Sequence, residues 1–229
     1  MAAANQRRSD VLLLENGDRL TRSEFERRYA AMPELKKAEL IEGVVYVPAA
    51  LRYRQHGKPH SNIMTWLGVY EAATPGVEAA DNTTVRLDLD NEPQPDALLR
   101  IDEACGGQSC ISEDDYVEGA PELIVEIAAS SASYDLYDKK RAYRRNGVQE
   151  YLVWLVAEQT IRWFHLQGSE YVSLEPNQDG VIESQQFPGL NLSVEALLVG
   201  DLARVLAVVQ AGVATEKHQV FVAQLAERS

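Results

Sequence analysis

Across 229 residues the chain sets 22 lysines and arginines against 35 aspartates and glutamates, a formal net charge of −13. Such a balance repels nucleic acid and anionic membranes at long range, although a local basic strip can still hold phosphates. An apolar share of 45% and a charged share of 25% fit one globular domain with a full core, and no stretch approaches the roughly 18–20 apolar residues of a membrane span.

The first ten residues read as disordered, and no apolar run there is long enough for a signal peptide, so a cytoplasmic location is expected. Residues 11–15 fit a short strand. A helix is expected over residues 20–31, where Thr21-Arg22-Ser23-Glu24 has the form of a capping box and Phe25 and Tyr29 share a face. The charged segment before Glu39 reads as a turn. A strand pair follows, joined at Glu42-Gly43 and favoured by Val44, Val45, Tyr46 and Val47. Residues 60–73 form a second helix, with Ile63, Trp66, Leu67 and Tyr70 at spacings of three and four.

Residues 83–90 alternate apolar and polar, the pattern of a strand with one wet face. Pro93 and Pro95 delay the next strand to about Asp96. The stretch 102–119 is acidic and glycine-containing, and reads as a mobile loop outside the core. It carries both cysteines, Cys105 and Cys110. Free thiols are expected in a cytoplasmic chain, with a disulfide or a mixed metal site as alternatives. The near-continuous apolar run around Glu126 predicts a central strand covered on both faces. Residues 135–146 form a helix closed by Gly147. Strands follow at 150–157, 160–166 and 170–175, then helices at 194–211 and 215–227. This order implies an α/β (α+β) fold, a mixed central sheet flanked by helices.

The informative residues are acids set into apolar strands. A buried carboxylate is costly unless paired or bound to a cation. Glu126 lies inside Leu-Ile-Val-Glu-Ile-Ala and Asp96 opens Asp-Ala-Leu-Leu-Arg-Ile. On neighbouring strands the two can converge on one metal, and Mg²⁺ or Mn²⁺ suits such oxygen ligands. Glu39 is a third candidate acid. The plainer readings are a turn aspartate, a solvent-facing glutamate on an edge strand, and a surface glutamate. Five of the seven residues 139–145 are basic. Lys139 shares a face with Tyr143 and Leu136, so it is expected to point along the sheet toward Glu126 and act on the chemical step. Lys140, Arg141, Arg144 and Arg145 fan outward, either as a phosphate-holding surface or as a solvated helix face. His60 is a candidate phosphate contact or a structural histidine. No nucleotide-binding glycine motif, nucleophile elbow, zinc-protease motif or calcium loop occurs.

Five stretches carry a family resemblance. They are Ala38–Ala50 with the following His60, then Pro-Gln-Pro-Asp-Ala-Leu-Leu at 93–99, and Pro-Glu-Leu-Ile-Val-Glu-Ile-Ala-Ala-Ser at 121–130. The fourth runs from Asp135 to Val156, and the fifth is Phe-Pro-Gly-Leu-Asn-Leu-Ser-Val-Glu-Ala-Leu-Leu at 187–198. The chain resembles a bacterial family of restriction-endonuclease relatives, abundant in cyanobacteria, within the PD-(D/E)XK nuclease superfamily. The resemblance implies a restriction-endonuclease-like core over residues 20–200, an N-terminal extension at 1–19 and a C-terminal helical tail at 201–229. It implies a Mg²⁺-dependent phosphodiesterase site in which Pro95-Asp96 is the motif's PD and Glu126 the second metal-binding acid. Lys139 then stands in for the lysine usually two residues after that acid, where this chain has Ala128, and Glu39 matches the family's early glutamate. The usual proline after the second acid is Ser130 here.

The expected function is metal-dependent cleavage of DNA, with a homodimer supplying two sites for two strands. The competing reading is a catalytically silent nucleic-acid- or protein-binding regulator that keeps the fold, which suits the charge of −13. Convergence of Asp96, Glu126 and Lys139 favours the enzyme. Acids facing opposite sides of the sheet favour the regulator.

Overall fold

The computed structural model describes residues 11–48, 50–129 and 131–228. The disorder expected for residues 1–10, and Ser130, lie outside the described residues. Helix α1 (Arg22–Ala30) precedes a hairpin of β1 (Glu39–Ile41) and β2 (Val44–Tyr46), closed by Glu42 and Gly43, both at positive φ. That two-residue turn matches the twist of an antiparallel pair. A π-turn at Tyr53–Gly57 leads into α2 (Lys58–Ala72), and β3 (Val77–Asp81), β4 (Val85–Arg86) and β5 (Ala97–Ile101) follow. After β6 (Cys110–Ile111) and β7 (Val117–Glu118) comes β8 (Leu123–Ala128). A helical crossover contains α3 (Ala132–Tyr134), a π-turn (Asp135–Lys139) and α4 (Lys140–Arg145). The chain continues through β9 (Glu150–Leu155), β10 (Thr160–Gln167), β11 (Glu170–Leu174), β12 (Val181–Glu183) and β13 (Asn191–Ser193) to α5 (Val194–Val199), α6 (Leu202–Val213) and α7 (Glu216–Arg228).

The main sheet has six strands in the order β11-β10-β9-β8-β5-β3. Only β8 and β9 run parallel, and the α3–α4 crossover makes that pairing possible. Both strands are buried along their whole length, as the apolar run around Glu126 predicts. Alternate residues serve opposite faces. Leu123, Val125 and Ile127 pack with Trp66 and Tyr70 of α2 and Val205 and Val209 of α6. Ile124 and Ala128 pack on the other side with Tyr143 and Tyr151. Glu126 therefore falls on the Tyr143 side.

The fifth family stretch docks the C-terminal helices. Trp66 donates to the Asn191 carbonyl and Tyr70 to that of Pro188, each at 3.0 Å. A Cβ on Gly212 would stand 2.1 Å from the Gly189 oxygen, so only glycine lets α6 approach that loop. Residues beyond 200 thus contribute to the main core. Among the described residues no helix is long and apolar enough to cross a membrane.

Several expectations change. The capping box does not form, because Glu24 is bound by Arg27 and Arg28 instead of reaching back to the helix start. The strand expected at 83–90 stops at Arg86. The Asp88 carboxylate accepts from the Asp90 amide and the Asn91 side chain, and this local turn displaces the ladder. The C-terminal helices are three, since Gly200 in the left-handed region ends α5.

The stretch 102–119 is not outside the core. Cys105 and Ser109 are buried, Arg100 donates to Ser109, and Glu122 accepts from the amides of Ile101 and Gln108. Both cysteines are free thiols, but Cys105 packs against Gly76 and shares a buried cluster with Leu225. Cys105→Ser should cost about 1–3 kcal/mol, the cost of burying a hydroxyl without a partner, and Cys110→Ser under about 0.5 kcal/mol. Urea unfolding of the two single variants checks this; equal costs would sink it.

Candidate active site

Continuing the β5–β8 register by one residue sets Asp96 opposite Glu126 on the Tyr143 side of the sheet. The Asp96 Oδ2 accepts from the Ile127 amide at 2.8 Å, which fixes the carboxylate across the strand pair. His56 Nε2 lies 3.1 Å and Lys37 Nζ 3.4 Å from Oδ1. His60 Nε2 sits 2.8 Å from the main-chain carbonyl of Asp96, so it buttresses the backbone of that residue.

The crossover supplies the cation. Its π-turn widens the helix by one residue, and both Asp135 and Lys139 are buried there. Lys139 Nζ donates to Glu126 Oε1 at 2.8 Å and Glu39 Oε1 at 2.9 Å, with Asp135 Oδ1 at 3.9 Å. One turn on, the Tyr143 hydroxyl donates to Glu126 Oε1 at 2.7 Å. Glu39 is anchored in turn by the Gln94 amide at 2.8 Å. Asp96, Glu39, Glu126 and Lys139 thus meet on one side of the sheet and line one cavity of about 830 Å³.

Four carboxylates line the cavity, with Lys139 and Lys37 paired to them and Lys36 also in the wall. Burial pushes Glu126 up to about 8; Lys139 opposes this, and Asp96, Asp135 and Glu39 reinforce it. Burial likewise raises Asp135 to about 6 against Lys139 and Ser131. Asp96 goes the other way: burial raises it, but the His56 hydrogen bond and the Lys37 and Lys139 charges together hold it well below the carboxylate range. Lys139 is disfavoured by burial yet raised by Glu126, Glu39 and Asp135. The raised values of Glu126 and Lys139 are compatible: the cluster keeps its ammonium and sheds excess negative charge by protonating a carboxyl.

The outer basic residues lie elsewhere. None of Lys140, Arg141, Arg144 and Arg145 lines the cavity. Lys140 stacks over the Phe164 ring at 3.4 Å. Arg141 pairs with Asp138 and Glu42, Arg144 with Glu170, and Arg145 with Glu42 and Asp88. Besides Lys139, the cavity is lined by cations sequence reasoning missed, Lys36, Lys37 and Arg52, and by His56. A signal existed for Lys37, two residues before Glu39 and so on its side of an extended segment. His56 lies four residues before His60, on the π-turn.

Among the described residues no three histidine, cysteine or acidic side chains are grouped so as to enclose a metal ion. The acids still offer a partial site. Both Asp96 and Glu126 line the cavity, and Glu126 Oε2 takes no hydrogen bond from a described residue. That donor set suits Mg²⁺, which keeps several waters and needs only one or two protein carboxylates.

The mixed sheet, its helical crossover and the acid–lysine cluster define a protein of nuclease-like α/β fold. The chain belongs to the Uma2 family, described as "Putative restriction endonuclease", whose model matches residues 22–195. A crystal structure of a putative nuclease belonging to DUF820, from Anabaena variabilis, is similar at 17% identity and a TM-score of 0.58. The match covers 76% of this chain and 96% of that one. No curated protein matches the chain.

Proposed function

We propose that the chain is a divalent-metal-dependent endonuclease that hydrolyses phosphodiester bonds in DNA. The observation that carries this reading is the register of Asp96 opposite Glu126, with Lys139 buried against Glu126 and Glu39 beside the same cavity. Asp96 and Glu126 would hold Mg²⁺ or Mn²⁺, completed by water and phosphate oxygens. Such a metal supplies Lewis acidity and an activated water when bound.

The chain's own residues do the positioning. Ile127, His56 and Lys37 hold Asp96 ionised and oriented, while Tyr143 and Lys139 fix Glu126 through Oε1. Lys139 also sets a positive charge near the position a phosphate would take, where it can offset charge that develops in the transition state.

Supercoiled plasmid, whose torsional strain opens unpaired stretches, should be nicked with Mg²⁺ or Mn²⁺, and not with chelator or by Asp96→Asn. A parent that cuts no nucleic acid under any metal would favour the silent binding protein.

Metal should also stabilise the fold, because only the folded chain presents both acids. At a concentration about 100 times Kd the gain is about 2.7 kcal/mol. Thermal melts should rise by several degrees for the parent and stay flat for Asp96→Asn. An equal rise in both would place the metal elsewhere.

A further inference from the structure

The reacting groups are sunk in the cavity, and the rim differs from the floor. Asp96 is 5%, Glu126 3% and Lys139 2% exposed. A phosphate that reaches them must enter the cavity and bring its strand along. About 830 Å³ is the size of a pocket for a drug-sized molecule. It fits a nucleotide or two, not a double helix whose major groove alone is about 12 Å wide.

The walls are built for a base. Tyr46 and Tyr134 line the cavity with ring centroids 3.9 Å apart. The Tyr134 hydroxyl is buried and has no hydrogen-bond partner among the described residues. Next to the cavity-lining Arg52, Tyr53 is 74% exposed and is followed by Arg54, an aromatic ring interleaved with cations. Bases stack on such rings whatever their identity.

The charge pattern points the same way. Lys36 and Arg52 line the cavity, Arg54 and Lys58 follow Arg52 closely in the chain, and all four are exposed with no ion pair to a described residue. Arg141, Arg144 and Arg145 are instead tied to acids of the chain itself. Other exposed cations without an ion pair to a described residue, Arg19, Arg162, Arg204, Lys217 and Arg228, do not line the cavity, so the cations that serve it are few and suited to one phosphate backbone. A duplex carries a charge every ~1.7 Å and would set its second strand against a protein of net charge −13.

We infer that the site acts on unpaired DNA: a single strand lies along the Arg52–Lys58 lip, stacks on Tyr53, and places one unstacked nucleotide between the tyrosine wall and the acids. This rests on the nuclease reading and names its substrate class.

The test uses the full chain with Mn²⁺ and three labelled DNAs of one sequence: a single strand of about 30 nucleotides, its perfect duplex, and a duplex with a gap of about eight nucleotides. The single strand should be cut at least about tenfold faster than the duplex, and the gapped DNA only opposite the gap. Binding is read separately without metal. Anisotropy should favour the single strand, and a 2-aminopurine base in it should brighten as it unstacks. Tyr53→Ala should weaken single-strand binding roughly tenfold, with an unchanged melting temperature. Duplex cut or bound as well as single strand overturns the inference, as does Tyr53→Ala binding like the parent. Should no DNA be cut, the nuclease reading fails, and the binding preference alone still decides this one.

Discussion

Lys139→Ala should lose about 3–5 kcal/mol of stability together with plasmid nicking, because it strips the shared cation from three buried carboxylates. The sequence suggests a milder result, lower turnover with binding nearly intact. Burial of the ammonium changes that, since Lys139 serves the fold and the site at once. The pH dependence has a definite sign. Lys139 is raised in the folded state, so its stabilising contribution is full below its ordinary value near 10.5 and is lost only as pH rises through the still higher folded value. Glu126 and Asp135 are also raised, to about 8 and about 6. Between their ordinary values and these, the folded chain binds more protons than the unfolded one, so stability falls as pH rises. Without the lysine that fall steepens. The defect should therefore be larger at pH 8 than at pH 5, by urea unfolding at both. A cost under about 1 kcal/mol, equal at the two values, would mean the three acids do not share the charge.

Glu126→Gln should separate activity from stability. Nicking should drop by at least about two orders of magnitude if Glu126 is the metal ligand proposed above. The melting temperature at pH 8 should match or exceed that of the parent. Glutamine keeps an oxygen that can accept from Lys139 and Tyr143, and it removes a charge that burial already opposes. Lys139 still keeps Glu39 and Asp135. A loss above about 2 kcal/mol at pH 8 would show the ionised carboxylate to be stabilising, and the excess-charge account would fail. The metal-dependent rise in melting temperature should vanish in the same variant.

How far the sequence reveals this arrangement depends on the range of the signal. Glu126 stands out because a charge breaks an otherwise apolar strand, and burial on both faces follows from that run. Asp96 stands out through the prolines before it. Their mutual register is a tertiary fact, set by pairing of β5 with β8, and no local pattern encodes it. Helical spacing puts Lys139 and Tyr143 on one face, and both do reach Glu126. The same spacing separates Arg141, Arg144 and Arg145 from that face but cannot foresee Glu42, Asp88 and Glu170, which arrive from distant segments to neutralise them. Lys37 and His56 are missed for a related reason. A charged turn and a π-turn leave no periodic trace, yet they supply the groups that face Asp96. The alternation at 83–90 misleads because one aspartate, Asp88, offers the backbone a better local partner.

Glu39 and Lys139 lie 100 residues apart in the chain, whereas Glu126 and Lys139 are separated by 13. The second pair sits within one strand–crossover–strand unit and can meet early in folding. The first requires a long loop to close, an entropic cost met before the contact returns anything. The Glu39 contact should therefore be absent from the rate-limiting barrier and form on its downhill side. In a chevron plot Glu39→Gln should leave the refolding arm almost unmoved and shift nearly all of its effect into faster unfolding. The carboxylate from β1 then acts as a latch, closing the cavity floor last and governing how long the native state persists.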